Sequence, residues 1–431
     1  MEQESQYSFL GGFFLEHVDE RNFKERVTNE LDYSTDSFNI PKAYEEITEN
    51  KPKEKRTLDK ILFESILYGN LANIYLDKLT RVSQIDESDL IKLMENFIER
   101  VNYGKLDEAL EKYMSPKGFY LMEAISNTEL GNFFLAGFDY TKNSENKIST
   151  IRMLFSTVVP FSIEKKGYFI SGLEIDFEKQ ISILLFRNMD NTISSEFEDI
   201  KRDTTTTKYY EKIKSLVYPI LGVSNSIDYK RDRTAMFKMC KELDEIILKE
   251  FREDMLRKLG EDEIDLKVTS MLQKLLPQTI LPVYEQRQVL AKRVQALILA
   301  TYINALVDND DLISIAKERK LVGFPTNISF KSGNSSKSAT GTSVKDIPIS
   351  GEIMFHSLYT DFDESLELPQ WSISWFKDYL HVAPINTDVV QTTIRSTSKY
   401  LLIVFKNRQY LNEGLIKHVV NYANRYRNQR V

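Results

Sequence analysis

From Thr57 onward, apolar residues recur at three- and four-residue spacing: Leu58, Ile61, Leu62, Ile66, Tyr68, Leu71, Tyr75, Leu76 and Leu79. The pattern predicts one helix capped by Thr57. A second stripe, Leu90, Leu93, Met94, Phe97, Ile98 and Val101, predicts a helix over Asp89–Tyr103 that stops at Gly104. A short connection makes the two an antiparallel helical pair. The charge-dense stretch Glu45–Arg56 before them reads as a solvated loop.

The period changes near Lys147. Met153–Phe161, Tyr168–Phe177 and Ile181–Arg187 are β-rich runs, and the last two predict a hairpin around Glu178, Lys179 and Gln180. In its first arm Leu173, Ile175 and Phe177 alternate with Glu174 and Asp176. The expectation is a half-buried strand with both carboxylates on the solvent side. Gly172 marks a bulge or the close approach of another backbone.

After the polar run Thr204–Thr207, helical spacing returns over Tyr210–Leu221, Arg233–Leu259, Tyr284–Val307 and Leu312–Arg319, with Gly260 stopping the second. Lys331–Lys345 has glycine, small polar residues and no large apolar side chain, and reads as a flexible linker or loop. Beyond Ile347 lie Trp371, Trp375, a strand over Tyr400–Phe405 and an amphipathic helix over Tyr410–Arg427. The predicted class is α+β, multidomain and mainly helical with a hairpin-containing middle. Its expected parts are a mainly helical region 1–146, a β-rich segment 147–203, a long-helix domain 204–330, a linker 331–346 and a basic α/β module 347–431.

Composition is that of an ordinary globular chain, 42% hydrophobic and 28% charged, and excludes wholesale disorder. The net charge of −7 excludes a uniformly basic nucleic-acid binder but allows a local basic surface. Cys240 is the single cysteine, so an internal disulfide or a cysteine zinc cluster is out and a reducing compartment fits. The acidic N-terminus lacks the positive flank of a signal peptide, and no run reaches about 18 uninterrupted apolar residues. A soluble cytoplasmic protein with no membrane contact is expected.

Nucleotide loops find little support. Ser336 stands where a phosphate-cradling loop needs glycine before Lys337 and Ser338, and no GxGxxG follows a strand. His17, His356, His381 and His418 are scattered, without HExxH, HxH or CxxC, so no cofactor is expected. Cys240 sits on an apolar helical stripe, where an inert thiol belongs. An alternative is a nuclease in which Glu174 and Asp176 hold Mg²⁺ and Lys179 steadies the phosphate, although the Glu-x-Lys spacing is absent. Tyr284–Val307, Leu312–Arg319 and a β-like Asn327–Lys331 also fit a winged helix-turn-helix with Lys317, Arg319 and Lys320 at its second helix.

The most polarised stretch is Arg395–Val431, with eight basic residues against the single acid Glu413. Tyr400, Tyr410, Tyr422 and Tyr426 are interleaved and suited to stacking on bases. Arg408, Lys417, Arg425 and Arg427 are the expected phosphate contacts. The expected function is a non-enzymatic subunit of a larger intracellular assembly. It would bind DNA or RNA through this module, or a protein partner through the long helices. A purely structural interaction protein is the further alternative.

Overall fold

The computed structural model describes residues 7–35, 37–82, 84–126, 129–161, 166–187, 205–260, 263–277, 282–331, 338–341, 347–378, 388–406 and 411–429. Two compact units are present, Met1–Ile227 with Arg408–Ile416, and Asp228–Asn407 with Lys417–Val431. Each combines helices with antiparallel strands, so the α+β class holds. The units do not part at 146, 203, 330 or 346, and the pairing of strands explains why.

In the first unit the chain runs α1 (Glu20–Leu31), α2 (Ile40–Asn50), α3 (Lys55–Gly69), β1 (Asn73–Arg81), α4 (Glu87–Asn102) and a single turn α5 (Glu108–Glu111). It continues through β2 (Phe119–Tyr120), β3 (Phe133–Lys142), β4 (Ile148–Pro160), β5 (Lys166–Asp176), β6 (Ile181–Phe186), α6 (Thr206–Val217) and β7 (Ser224–Ser226). The strands lie in the order β2-β3-β4-β5-β6-β1, and β7 also pairs with β1. Strands β3 and β4 form a hairpin across position 146, so no boundary can fall there.

The helix expected from Thr57 to Leu79 ends at Gly69. A Cβ on Gly69 would stand 2.6 Å from the His17 carbonyl oxygen, so the close approach requires glycine there. Tyr75, Leu76 and Leu79 belong instead to β1, with Tyr75 opposite Leu184 and Leu76 opposite Ile183 on β6. Residues Ile74–Asp77 of β1 are all buried, and such a strand lacks the polar alternation that distinguishes it from a helix. The expected helical pair is therefore a helix–strand–helix segment.

Helix α3 lies over one face of this sheet and α4 over the other. Leu67 and Leu71 place their Cδ1 atoms 2.4 and 3.3 Å from where a Gly172 Cβ would be. Gly172 thus admits a helix, with an unbroken β4–β5 register and no bulge. On the α4 side Phe97 meets Phe155 edge-on, with ring centroids 6.3 Å apart. Asn102, at the end of α4, accepts from Leu135 N at 2.8 Å and donates to Leu135 O at 2.9 Å. It serves as a strand partner where the β3–β4 register shifts between Leu135 and Gly137.

The face of β5 expected to meet solvent is interior. Glu174 is 5% exposed and accepts from the Tyr68 hydroxyl of α3. Its neighbour across β4, Arg152, donates to Asp139 Oδ1 at 2.8 Å and pairs with Glu64 of α3 at 2.8 Å. Glu64 also pairs with Arg26 at 2.7 Å, and Tyr120 donates to Asp139 at 2.8 Å. Burial works against the Glu64 carboxylate, but Arg152 and Arg26 outweigh it and hold Glu64 below its usual range. Polar alternation here records an ionic layer between helix and sheet.

A second buried cluster joins α3 to the segment after β2. Lys55 Nζ lies 2.8 Å from Asp59 and 2.6 Å from Glu123. Burial, with repulsion from Glu123, pushes Asp59 up to about 7.

The second unit contains α7 (Tyr229–Leu259), α8 (Glu263–Leu275), α9 (Tyr284–Leu306), α10 (Asn309–Glu318), β8 (Gly323–Phe330), β9 (Ser338–Gly341), α11 (Ile353–Ser357), α12 (Tyr359–Ser365), β10 (Gln370–Phe376), β11 (Val389–Ser396) and β12 (Leu401–Phe405). A last helix, α13 (Glu413–Asn428), begins in the residues of the first unit and continues in those of the second. The strand order is β12-β11-β10-β8-β9. Strand β10 pairs with β8 on one side and β11 on the other, so the sheet joins the expected long-helix domain to the expected C-terminal module. Of the expected linker, 332–337 and 342–346 lie outside the described residues, while β9 pairs with β8. Cys240 is buried in α7, where burial and the nearby Asp244 push its thiol up, as its apolar stripe predicts.

Arg152→Ala should cost about 3–5 kcal/mol in urea unfolding, because Glu64 and Asp139 lose a buried counter-charge. For Asp59, the unfolded carboxyl ionises near 3.8 while the folded one keeps its proton to about 7. Stability therefore falls as pH rises between these values and is level above them. Asp59→Asn should narrow the difference in urea midpoint between pH 4 and pH 8; an unchanged difference would count against the raised carboxyl.

Candidate interaction surface

The hairpin carboxylates do not converge. Glu174 is held inside by Tyr68, whereas Asp176 closes the turn after β5, accepting from Lys179 N at 2.8 Å. Lys179 Nζ lies 3.1 Å from the same carboxylate, so this lysine is already neutralised. Among the described residues no group of three or more His, Cys, Asp or Glu is placed to hold a metal ion. The Mg²⁺-holding pair expected of a nuclease is not assembled here.

The basic C-terminal set is divided in a similar way. Arg408 lies outside the described residues. Lys417 is half-buried and already engaged, while Arg425 is exposed. Arg427 is 4% exposed, with its Nε 2.7 Å and Nη2 3.2 Å from the two oxygens of Asp232 in α7. A phosphate contact by Arg427 is thereby ruled out, since a guanidinium bound in this fork cannot also reach solvent. Of the interleaved tyrosines, Tyr410 lies outside the described residues, and Tyr422 and Tyr426 turn inward. Tyr422 meets Trp375 edge-on at 5.9 Å, and Tyr426 donates to Glu242 at 2.8 Å. Charge counting found the cations, but helix α13 presents its basic residues on more than one face.

Two of the three winged-helix cations are engaged too, while Lys320 is exposed. Lys317 is buried, 2.6 Å from both oxygens of Asp378 and 5.0 Å from the Phe376 ring centroid. Arg319 pairs with Glu250. Helix α10, where recognition side chains were expected, places the lysine of its last turn inside.

The second unit also exposes an apolar surface. Helix α9 buries Ala291, Leu299, Ala300 and Ile303, yet leaves Leu290, Leu297, Ile298 and Leu306 exposed, the last at 54%. It is long and apolar enough, by length and composition, to cross a membrane. It also carries Lys292 and Arg293, and Arg293 pairs with Asp361 at 2.8 Å. Arg287, Leu290, Val294, Leu297, Ile298, Thr301 and Ala305 follow one another at helical spacing along one face. Apolar spacing over Tyr284–Val307 does not by itself separate core positions from exposed ones. The available signal was that α9 is apolar on all sides, more than a one-sided helix needs.

Asp232→Ala should destabilise the protein by about 3–5 kcal/mol, because it strands a buried guanidinium. Arg425→Ala should stay within about 0.5 kcal/mol of wild type, as an exposed position does. Paired urea titrations check both, and equal effects would contradict the assignment of Arg427 to the interior. No protein-family model matches the chain, and no curated protein matches it.

Proposed function

We propose that the chain is a non-enzymatic assembly subunit that docks protein along α9, and that the occupant of this face is a second copy of the chain. The observation that carries the reading is the exposed stripe through Leu290, Leu297 and Ile298. An apolar stripe of this kind favours burial against a like surface.

Charge selects the occupant. Exposed Asp308 and Asp310 follow the C-terminal end of α9, where phosphates or anionic headgroups would be repelled. Arg287, near the other end, forms no ion pair among the described residues. Arg287 and Asp308 are equally distant in sequence from the Leu297–Ile298 step. Antiparallel pairing about a twofold axis at that step therefore sets Arg287 of each copy against Asp308 of the other, in the self-complementary manner of twofold interfaces. The nucleic-acid reading retains only Arg425 as an exposed cation among the described members of its set, which favours protein docking.

Sedimentation velocity over a concentration series tests this. Wild type should associate, Leu297→Asp with Ile298→Asp should remain monomeric with an unchanged thermal unfolding curve, and Arg287→Glu should weaken association. A wild type that stays monomeric throughout overturns the proposal. So does association that survives the double substitution, or binding to anionic vesicles that the substitution abolishes.

A further inference from the structure

The opposite side of α9 borders a cleft of about 260 Å³ within the second unit. Its apolar wall is Met255 of α7 with Val289 and Leu299 of α9. Its polar side brings together Arg252 of α7, Lys292 of α9 and Tyr359 of α12. The volume is on the order of nine waters, room for a compact organic molecule and little more.

Arg252 is the distinctive group. Its guanidinium carbon lies 5.6 Å from the Tyr359 ring centroid, and this tyrosine favours its charged form. No carboxylate among the described residues comes within ion-pair distance of Arg252. Asp244, two helical turns before it on α7, acts from farther away. Asp244 is buried, with one oxygen accepting from Ser350 Oγ at 2.6 Å and the other without a hydrogen-bond partner. Burial raises Asp244 to about 6, which still leaves it mostly ionised at neutral pH, a counter-charge that acts on Arg252 from a distance and not as an ion-pair partner. Arg252 is thus a largely enclosed cation that sits over an aromatic ring and faces a cleft, with Asp244 and Glu245 acting on it from a distance and no ion-pair partner among the described residues.

A second cation stands on the same cleft. Lys292 lines the cleft and forms no ion pair among the described residues. Of the two acids at the rim, Asp363 is bound by Lys241, which also pairs with Glu245, and Glu364 has no ion pair among the described residues. His356 adds no charge: burial lowers it, and its Nε2–H donates to the Ser350 carbonyl at 2.7 Å. Two cations without ion-pair partners among the described residues thus line the cleft, and the wall opposite is apolar.

We propose that this cleft binds a small organic monocarboxylate, with its carboxylate at Arg252 and Lys292 and its apolar body against Met255, Val289 and Leu299. A planar guanidinium matches a carboxylate in two parallel hydrogen bonds, and the partial enclosure of Arg252 strengthens them. The site is independent of the pairing proposed for α9, whose residues lie on the helix's other face.

The probes are sodium benzoate, benzyl alcohol as the same ring without the charge, and inorganic phosphate as a charge without the ring, each titrated calorimetrically into the full chain. Benzoate should bind, benzyl alcohol about tenfold or more weakly, and phosphate more weakly than benzoate. Arg252→Gln should weaken benzoate about tenfold or more, with circular dichroism to confirm folding. Lys292→Gln, at an exposed position that cannot unfold the unit, should weaken it severalfold. Leu297→Asp with Ile298→Asp should leave benzoate binding unchanged even if self-association fails. The proposal is overturned if benzoate does not bind wild type, if benzyl alcohol or phosphate binds as tightly, or if Lys292→Gln binds benzoate like wild type.

Discussion

Burying Arg152 beneath α3 creates a demand for counter-charge that Glu64 meets from the helix and Asp139 from the neighbouring strand. A guanidinium in this position is tolerable only if its donors are all occupied, so helix, β3 and β4 must arrive in one relative arrangement. Arg26 extends the same constraint outward to α1 through Glu64, and Tyr120 extends it to β2 through Asp139. Apolar packing above and below supplies the bulk of the burial, but packing alone tolerates small slips. The ionic layer does not, since a shift of α3 by one residue would leave a charge without its partner.

The same layer explains which parts of the fold were legible in the sequence. Helices with one wet face, such as α4 and the C-terminal α13, were placed within a few residues, because an apolar stripe against polar positions has one reading. Strand β1 was not, because both its faces are covered and its apolar residues match helical spacing as well as strand spacing. Glu174 illustrates the converse. Its alternation with Leu173 and Ile175 identified the strand, while the side to which it points depends on Tyr68, more than a hundred residues earlier in the chain. Period reports backbone geometry; it does not report what lies across the face.

Candidate chemistry was still harder to read. Eight cations near the C-terminus form a strong statistical feature, yet Arg425 and Arg427, two residues apart, have opposite fates, one in water and the other locked to Asp232. The rotation of a helix by two positions decides between them, and composition carries no information about rotation. Arg252 and Lys292 were passed over for the related reason that each stands in a different helix. Their meeting depends on how α7 and α9 pack, and no local spacing encodes it.

Asn102 shows how narrowly such an arrangement can restrict the chain's history. Its amide must accept from the Leu135 N–H and donate to the Leu135 carbonyl at once, at the point where β3 departs from its ladder. Aspartate has the acceptor but no donor at neutral pH, serine is too short to span both groups, and glutamine adds a methylene that this buried position has no room to absorb. Of these four side chains, asparagine alone fills the requirement. A lineage that retains the irregular strand must retain this residue with it, and one that loses the residue must straighten the strand in the same step.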